Sequence, residues 1–427
     1  MRRLIVIIFC AALLQCQKVE ITTYPHYDIQ SKIEPSKNQI TVSLQMNYFH
    51  QFEPTDSLSF LLYKKMNIES LESDMVEHFV FDTMTAPSYR YTPEAGILKI
   101  KLKKAIAKDD LVTLRITYYG QIGRVNYWQT NRLTEEWTEL GNYTPWFPYH
   151  PQLKLISFKI DAVIEDDYTI EGNGEIDSQN NHWIIKNGSA NNDIILCASK
   201  NFISEQISGR NHSLKFTSTV PFSKTAIDSI LATGNNILNN FSHWFGEIEM
   251  AATKILVTPR ETGGGYARKG IIVLSKMNEE DYSNEKAGYV QYFAHEFSHF
   301  WWSNAPTDSW EDWLNEAFAE YSAMLSVRDL IGDHEFEKRI QKKSVHVDSL
   351  PPVRGIDRDD PKAYDVLYNK GCYLLYTLEK DVGKEKFMAF LRSVYLNKIS
   401  RTDDLIRMMA DQFGEDIAKQ FNAKLDK

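Results

Sequence analysis

The chain reads as an α+β protein, an all-β N-terminal region followed by a mainly helical one. Three observations predict this. Up to about residue 220 apolar and polar residues alternate at period two; Asn and Gly turns separate the alternating runs; and beyond Pro221 the apolar period becomes helical. Val42, Leu44, Met46 and Tyr48 face one way, and Thr41, Ser43, Gln45 and Asn47 the other. The alternation returns at Leu98, Ile100 and Leu102, at Val112, Leu114, Ile116 and Tyr118, and at Ile156, Phe158, Ile160 and Ala162. Turns are expected at 172–174 and at Asn187-Gly188. The first region is therefore a large β-sandwich or saddle. In the second, Ile227, Ile230, Leu231, Leu238, Phe241 and Phe245 predict a long helix. Two strand-like runs follow at 254–258 and 270–274, then further helices to the end near Lys427.

Length and composition set outer bounds. A chain of 427 residues has room for two or three domains with their own cores. A net charge of −9 excludes a nucleic-acid partner or an anionic membrane surface as the obvious target. Four cysteines form no disulfide framework or thiolate metal site; Cys197 and Cys372 are expected as buried single thiols. Arg2 and Arg3 followed by eleven apolar residues, Leu4 to Leu14, form a targeting segment too short to span a bilayer. The stretch Leu13-Leu14-Gln15-Cys16 resembles a bacterial lipobox, with Gln15 in place of the usual small residue. The expected location is the cell envelope, facing periplasm or exterior, with a lipid anchor on Cys16 as the only membrane attachment. An ordinary secretory signal is the alternative. The expected division is a signal peptide over 1–15, a β domain over 16–220 and a second domain over 221–427.

The chemistry concentrates in the second domain. HEFSH, His295 to His299, lies in a helical pattern with Val290, Phe293, Ala294, Phe297, Phe300 and Trp301 apolar. His295 and His299 are four apart, so both imidazoles leave one face and can grip one zinc ion, while Glu296 projects beside it to take a proton from a water held there. A second helical run, WLNEAFAEYSAML from Trp313, carries Glu316 and Glu320 one turn apart. A catalytic zinc takes three protein ligands and keeps one position open. Two histidines and one carboxylate leave the ion electrophilic. Glu316 is read as the third ligand and Glu320 as an outer-shell group that orients one. Two solvated histidines and two surface acids are the bland alternative.

HEFSH followed by WLNEAFAEY resembles the aminopeptidase N family of zinc metallopeptidases, the gluzincins. That family has eighteen residues between HExxH and the ligand Glu; here sixteen separate His299 from Glu316, and the shortening falls in the loop APTDS. LYNKG, from Leu367, resembles the family's Tyr-x-Lys-Gly signature, whose Tyr donates a hydrogen bond to the oxyanion; Tyr368 matches it. Helix packing is the other reading of Tyr364, Tyr368, Tyr373 and Tyr376. GGGYARKG, Gly263 to Gly270, occupies the place of the family's exopeptidase strand, which pairs with the substrate backbone, so Gly264, Gly265, Tyr266 and Ala267 are expected at the substrate. A plain glycine turn also explains the glycines. The family's amine-binding Glu is replaced by Ala267, and Arg268 beside it adds positive charge. Glu139, eight residues before Phe147 as in the family's stretch, is expected to contact a substrate amine, or else to be a solvated loop acid.

The resemblance implies an N-terminal β-saddle and a thermolysin-like peptidase domain, without the family's large C-terminal helical domain. It also implies one Zn2+, a peptide or protein substrate, and peptide-bond hydrolysis with altered recognition of the N-terminus. A peptide-binding surface lipoprotein that holds zinc without catalysis is the runner-up.

Overall fold

The computed structural model describes residues 24–125, 130–191, 193–208, 213–248, 250 and 252–427. The expected signal segment and Cys16 lie outside them. The N-terminal region is built on a seven-stranded sheet. At its centre His26–Glu34 runs antiparallel to Gln39–Phe49 and parallel to Leu155–Ile164. The period-two pattern becomes one buried face: Val42, Leu44, Met46 and Tyr48 are all buried, as are Val112, Leu114, Ile116 and Tyr118 on the paired strand Leu111–Gln121. A three-stranded sheet, with Ala95–Ile106 between Thr55–Tyr63 and Val76–Asp82, adds Leu58, Phe60, Leu98 and Ile100 to the same core.

A second core lies in the C-terminal half. Its sheet runs in the order Ile203–Ser208, Ser213–Ser218, Ala252–Val257, Ile271–Leu274, Tyr266–Arg268. The first two of these strands precede residue 220, and Leu214 and Phe216 belong to the second core, so a division at 220 runs through this sheet. The reason is parallel pairing of 213–218 with 252–257 across the intervening long helix, a contact that local periodicity does not reveal. A small cluster of Trp137, Ile195, Cys197, Leu256, Tyr266, Ile271 and Val273 seals the two halves together. Lys254 Nζ reinforces the seam by donating to the carbonyls of Gly172 and Gly174, both at 2.9 Å.

The α-helices among the described residues are α1 (Lys224–Phe245), α2 (Glu279–Asn284), α3 (Lys286–Ser298), α4 (Trp313–Leu330), α5 (Asp333–Ser344), α6 (Gly371–Val382), α7 (Lys384–Leu396), α8 (Thr402–Phe413) and α9 (Glu415–Leu425). The Ser223 hydroxyl caps α1 by accepting from the Ala226 N–H, and Gly246 at φ 121° ends it. Helix α4 is buried on nearly every side, from Trp313 through Val327, which puts it at the centre of the domain. Helix α3 packs along it. Cys197 and Cys372 are free and buried. No helix among the described residues is long and apolar enough to cross a membrane.

Candidate metal centre and active site

Helices α3 and α4 bring three donor atoms together. One atom each of His295, His299 and Glu316 lies within 4.8 Å of the others. Glu316 Oε2 is 3.4 Å from His295 Nε2 and 3.5 Å from His299 Nε2. The edge of a tetrahedron with bonds of about 2.0–2.1 Å is roughly 3.3 Å, so the spacing suits a zinc ion. Glu316 Oε2 is buried and no hydrogen bond reaches it. A buried carboxylate oxygen without a donor is costly, and a cation shared with two imidazoles removes that cost.

The outer sides of the ligands are held. His295 Nδ1 lies 2.9 Å from Glu320 Oε2, and His299 Nδ1 lies 3.1 Å from the Trp302 carbonyl. Each contact fixes the ring and leaves Nε2 facing Glu316. Glu320 is itself pinned at 2.6 Å by Gln291 Nε2 and at 2.6 Å by Lys343 Nζ. Burial alone would raise the Glu320 pKa, but the Lys343 ammonium and His295 hold it well below the carboxylate range. Burial also opposes ionisation of Glu316, and the His299 and His295 imidazoles bring it down to about 2. The two imidazoles then diverge: burial lowers His299, whereas His295, between Glu316 and Glu320, is raised despite its burial.

The first turn of α4 is locked by Asn315, which exchanges two hydrogen bonds with the Ala305 backbone and donates to Asp312 Oδ1 at 2.8 Å. The shortened loop at 305–309 is clamped by that exchange. Arg358 Nη2 lies 2.9 Å from Asp312 Oδ2 and 2.8 Å from the Tyr91 hydroxyl, which donates to the Thr307 carbonyl at 2.9 Å. A turn of the β region thus braces the segment that precedes Glu316. Arg358, Tyr91, Lys343 and Gln291 carry no motif, and their roles exist only in the fold.

Glu296 is 5% exposed, and burial first, then the Glu316 carboxylate, push its pKa up to about 7 against the attraction of His295. Gly265 sits against it: a Cβ there would lie 2.6 Å from Glu296 Oε1 and 2.7 Å from the Tyr292 hydroxyl oxygen. Glycine is required here by close approach, not by turn geometry. Tyr292 occupies the helix position one turn before Glu296, a spacing from which its place beside the base was readable.

Tyr368 lies in a short π-helix, Asp365–Lys370, directly before α6. Single π turns recur at functional sites because they re-aim one side chain. Its ring stacks on His295 at 5.7 Å and 11°, and on Tyr364 at 4.4 Å. Gly371 allows this approach: a Cβ there would meet Ala317 Cβ, next to Glu316, at 2.6 Å. Burial, then the Glu316 carboxylate, raise the Tyr368 hydroxyl well above its usual pKa, so it keeps its proton and stays a donor.

The glycine segment ends in the edge strand Tyr266–Arg268, which pairs on one side with Ile271–Leu274. Gly264 and Gly265 precede the strand, and Ala267 packs on the second core. The Tyr266 side chain turns away, into the seam between the halves. Two expectations are corrected here. Glu139 is neither a solvated acid nor open to a substrate amine: it is fully buried, with Oε2 accepting from Arg260 Nε at 3.0 Å and Trp137 Nε1 at 2.9 Å, and Oε1 accepting from the Tyr266 hydroxyl at 3.0 Å. Arg268 is not a bare charge: its Nε donates to Asp193 Oδ2 at 2.7 Å and its Nη2 to Asn142 Oδ1 at 3.0 Å. Buried charges of both signs have found partners, as the low local dielectric demands.

Known proteins resemble this chain in part of its sequence and in its fold. Aminopeptidase 2, mitochondrial, of Saccharomyces cerevisiae is 30% identical over 145 residues, which is 30% of this chain and 15% of that protein. Leucyl aminopeptidase of Saccharolobus solfataricus is 28% identical over 153 residues, 31% of this chain and 19% of that one. The matches to these two relatives thus span less than a fifth of each relative's length. The M1 zinc metallopeptidase from Deinococcus radiodurans shares the fold, with a TM-score of 0.71 at 15% identity over 94% of this chain and 93% of that one. A mutant two-domain M1 zinc metallopeptidase bound to L-arginine superposes with a TM-score of 0.73 at 15% identity, again over 94% and 93% of the two chains. Residues 261–423, which hold His295, Glu296, His299, Glu316, Glu320 and Tyr368, match the peptidase family M1 domain.

Proposed function

We propose that this protein is a zinc-dependent metallopeptidase of two-domain form, with His295, His299 and Glu316 as the metal ligands. The observation that carries this is the buried Glu316 Oε2, without a hydrogen bond and facing two imidazole nitrogens, with Glu296 alongside. Zinc held by His295, His299 and Glu316 would make a water there more acidic, to a pKa of about 7, and would polarise a carbonyl. Glu296 takes the water's proton and returns it to the leaving amine; Tyr368 donates to the developing oxyanion; the edge strand aligns the peptide. A protein that only bound peptides would have no use for a buried base beside the metal. The test is metal content together with turnover of a fluorogenic peptide library. Purified protein is expected to hold about one zinc per chain, lost in His295→Ala, His299→Ala and Glu316→Ala, while Glu320→Ala weakens zinc affinity roughly 10–100-fold through His295. Wild-type protein that binds no zinc ends the proposal.

The substrate's N-terminus is recognised weakly. A desolvated ammonium needs a carboxylate partner. On this wall Glu139 and Asp193 are engaged by Arg260 and Arg268, and the strand offers Ala267. N-acetylated and internal peptide bonds are therefore cleaved alongside free N-termini. In matched free and acetylated peptides, Ala267→Glu is expected to raise the free-amine preference by about one to two decades in kcat/KM. A wild-type preference for the free amine above about a hundredfold would show an anchor elsewhere.

Export and lipid attachment at Cys16 follow from the N-terminal pattern. Labelled palmitate should enter the protein in a bacterial host that processes lipoproteins and fail to enter Cys16→Ser; a soluble product cut at another site refutes the anchor.

A further inference from the structure

We propose that Lys343 is a positioning residue that ties the π turn carrying Tyr368 to the outer side of His295, so that the oxyanion donor and a metal ligand are held in fixed relation; this rests on the peptidase reading above. Its place on α5 is out of pattern. The buried Phe336 and Ile340 are four apart, and Lys343 follows three later on the same stripe, where a further apolar residue would continue the core face. A lysine there carries its ammonium toward the centre of the domain. The neighbouring Lys342 is exposed, whereas the Lys343 side chain is 11% exposed.

The ammonium reaches two separate parts of the site. Nζ lies 2.6 Å from Glu320 Oε1 and donates to Asn369 Oδ1 at 2.8 Å. Glu320 Oε2 is 2.9 Å from His295 Nδ1, so one end of the tie is the outer side of a metal ligand. At the other end, Asn369 is the residue after Tyr368. Its Nδ2 donates to Asp365 Oδ1 at 3.0 Å, which brackets the π turn from its first residue to its fifth. The Tyr368 ring stacks back on His295. The contacts close a circuit that runs from His295 through Glu320, Lys343, Asn369 and Tyr368 to His295 again. Burial opposes the charge on Lys343, but the Glu320 carboxylate outweighs it and raises the pKa, so the ammonium persists. Holding Glu320 does not by itself require Lys343, because Gln291 Nε2 donates to the same Oε1 at 2.6 Å. What Lys343 adds is the reach to Asn369. A π turn is rare on its own, so surrounding contacts set its shape. A misplacement of about 1 Å at a catalytic group can cost roughly 10²-fold in rate, so this tie bears on turnover.

The experiment uses two variants that cut the tie at different points. Asn369→Leu removes the amide at nearly constant size, and Lys343→Met keeps the stem and removes the ammonium. Each is made in wild type and in Tyr368→Phe. Zinc Kd is read by chelator competition, kcat and KM on a fluorogenic peptide at saturating zinc, and amide hydrogen exchange over residues 365–371 on the metal-free protein. Asn369→Leu should leave zinc Kd unchanged, speed exchange in the π turn and lower kcat at least about tenfold at constant KM. Lys343→Met should do the same and also weaken zinc binding about tenfold through Glu320, the low end for loss of an outer-shell partner. In Tyr368→Phe neither change should lower kcat further, because the donor they position is gone. Equal losses on both backgrounds, or an unchanged kcat in both single variants, overturn the proposal. Should wild type hydrolyse no peptide, the peptidase reading fails, and hydrogen exchange decides the tie: faster exchange over 365–371 in both variants supports it, and unchanged exchange overturns it.

Discussion

Glu296→Gln should retain its zinc and lose peptide hydrolysis by roughly 10²–10⁴-fold in kcat/KM, the range for removal of a general base. The substitution keeps side-chain volume, which matters because Glu296 is 5% exposed and lies against Gly265. It removes only the ability to accept a proton. The residual activity should also lose its acid limb. In wild type the base must be ionised, so activity rises as pH rises through the Glu296 pKa. Burial places that pKa near 7 and a bound cation lowers it, so the limb falls below about 7. Stability moves the other way. A carboxyl whose folded pKa is raised stabilises the fold fully below its unfolded pKa and loses that contribution as pH rises through about 7. Metal-free Glu296→Gln should therefore melt higher than metal-free wild type at pH 8. A variant with near-normal turnover, or one that loses its zinc, removes Glu296 from the role of base.

How much of this was legible before folding depends on the range of each contact. The spacing of His295, Glu296 and His299 is local to one helix, and the pair Glu316 and Glu320 to another. Helical geometry alone places each set on a face, and the fold brings those faces together. The period-two runs likewise became the buried faces of the large sheet. Contacts across long separations were not legible. Glu139 meets Arg260 121 residues away, and Arg268 meets Asp193 75 residues away; no periodicity announces either, so both charges looked free. The π turn at Tyr368 has the same origin. Asp365–Lys370 carries an ordinary helical pattern, and its widening accompanies the contact of Gly371 with Ala317, which belongs to tertiary packing.

That π turn gives the second large effect. Tyr368→Phe should lower kcat by about 10²–10³-fold, the cost of removing one preorganised oxyanion donor. The ring remains between His295 and Tyr364, so stacking, zinc content and melting temperature should change little. The loss should appear equally in kcat and kcat/KM, since the hydroxyl acts on charge that exists only in the transition state. No new limb should enter the pH profile: the hydroxyl pKa lies well above its usual value, so the wild-type donor is protonated wherever the enzyme is stable. Tyr376→Phe is the control. Its hydroxyl lies 3.1 Å from Glu337 Oε2, away from the ligands, and its loss should leave turnover unchanged. If Tyr368→Phe turns over like wild type, the hydroxyl carries no charge stabilisation and Tyr368 is a packing residue on His295. If it loses zinc, its contribution is to Glu316 and not to the oxyanion. A fall in kcat with metal and fold intact separates the catalytic role from both.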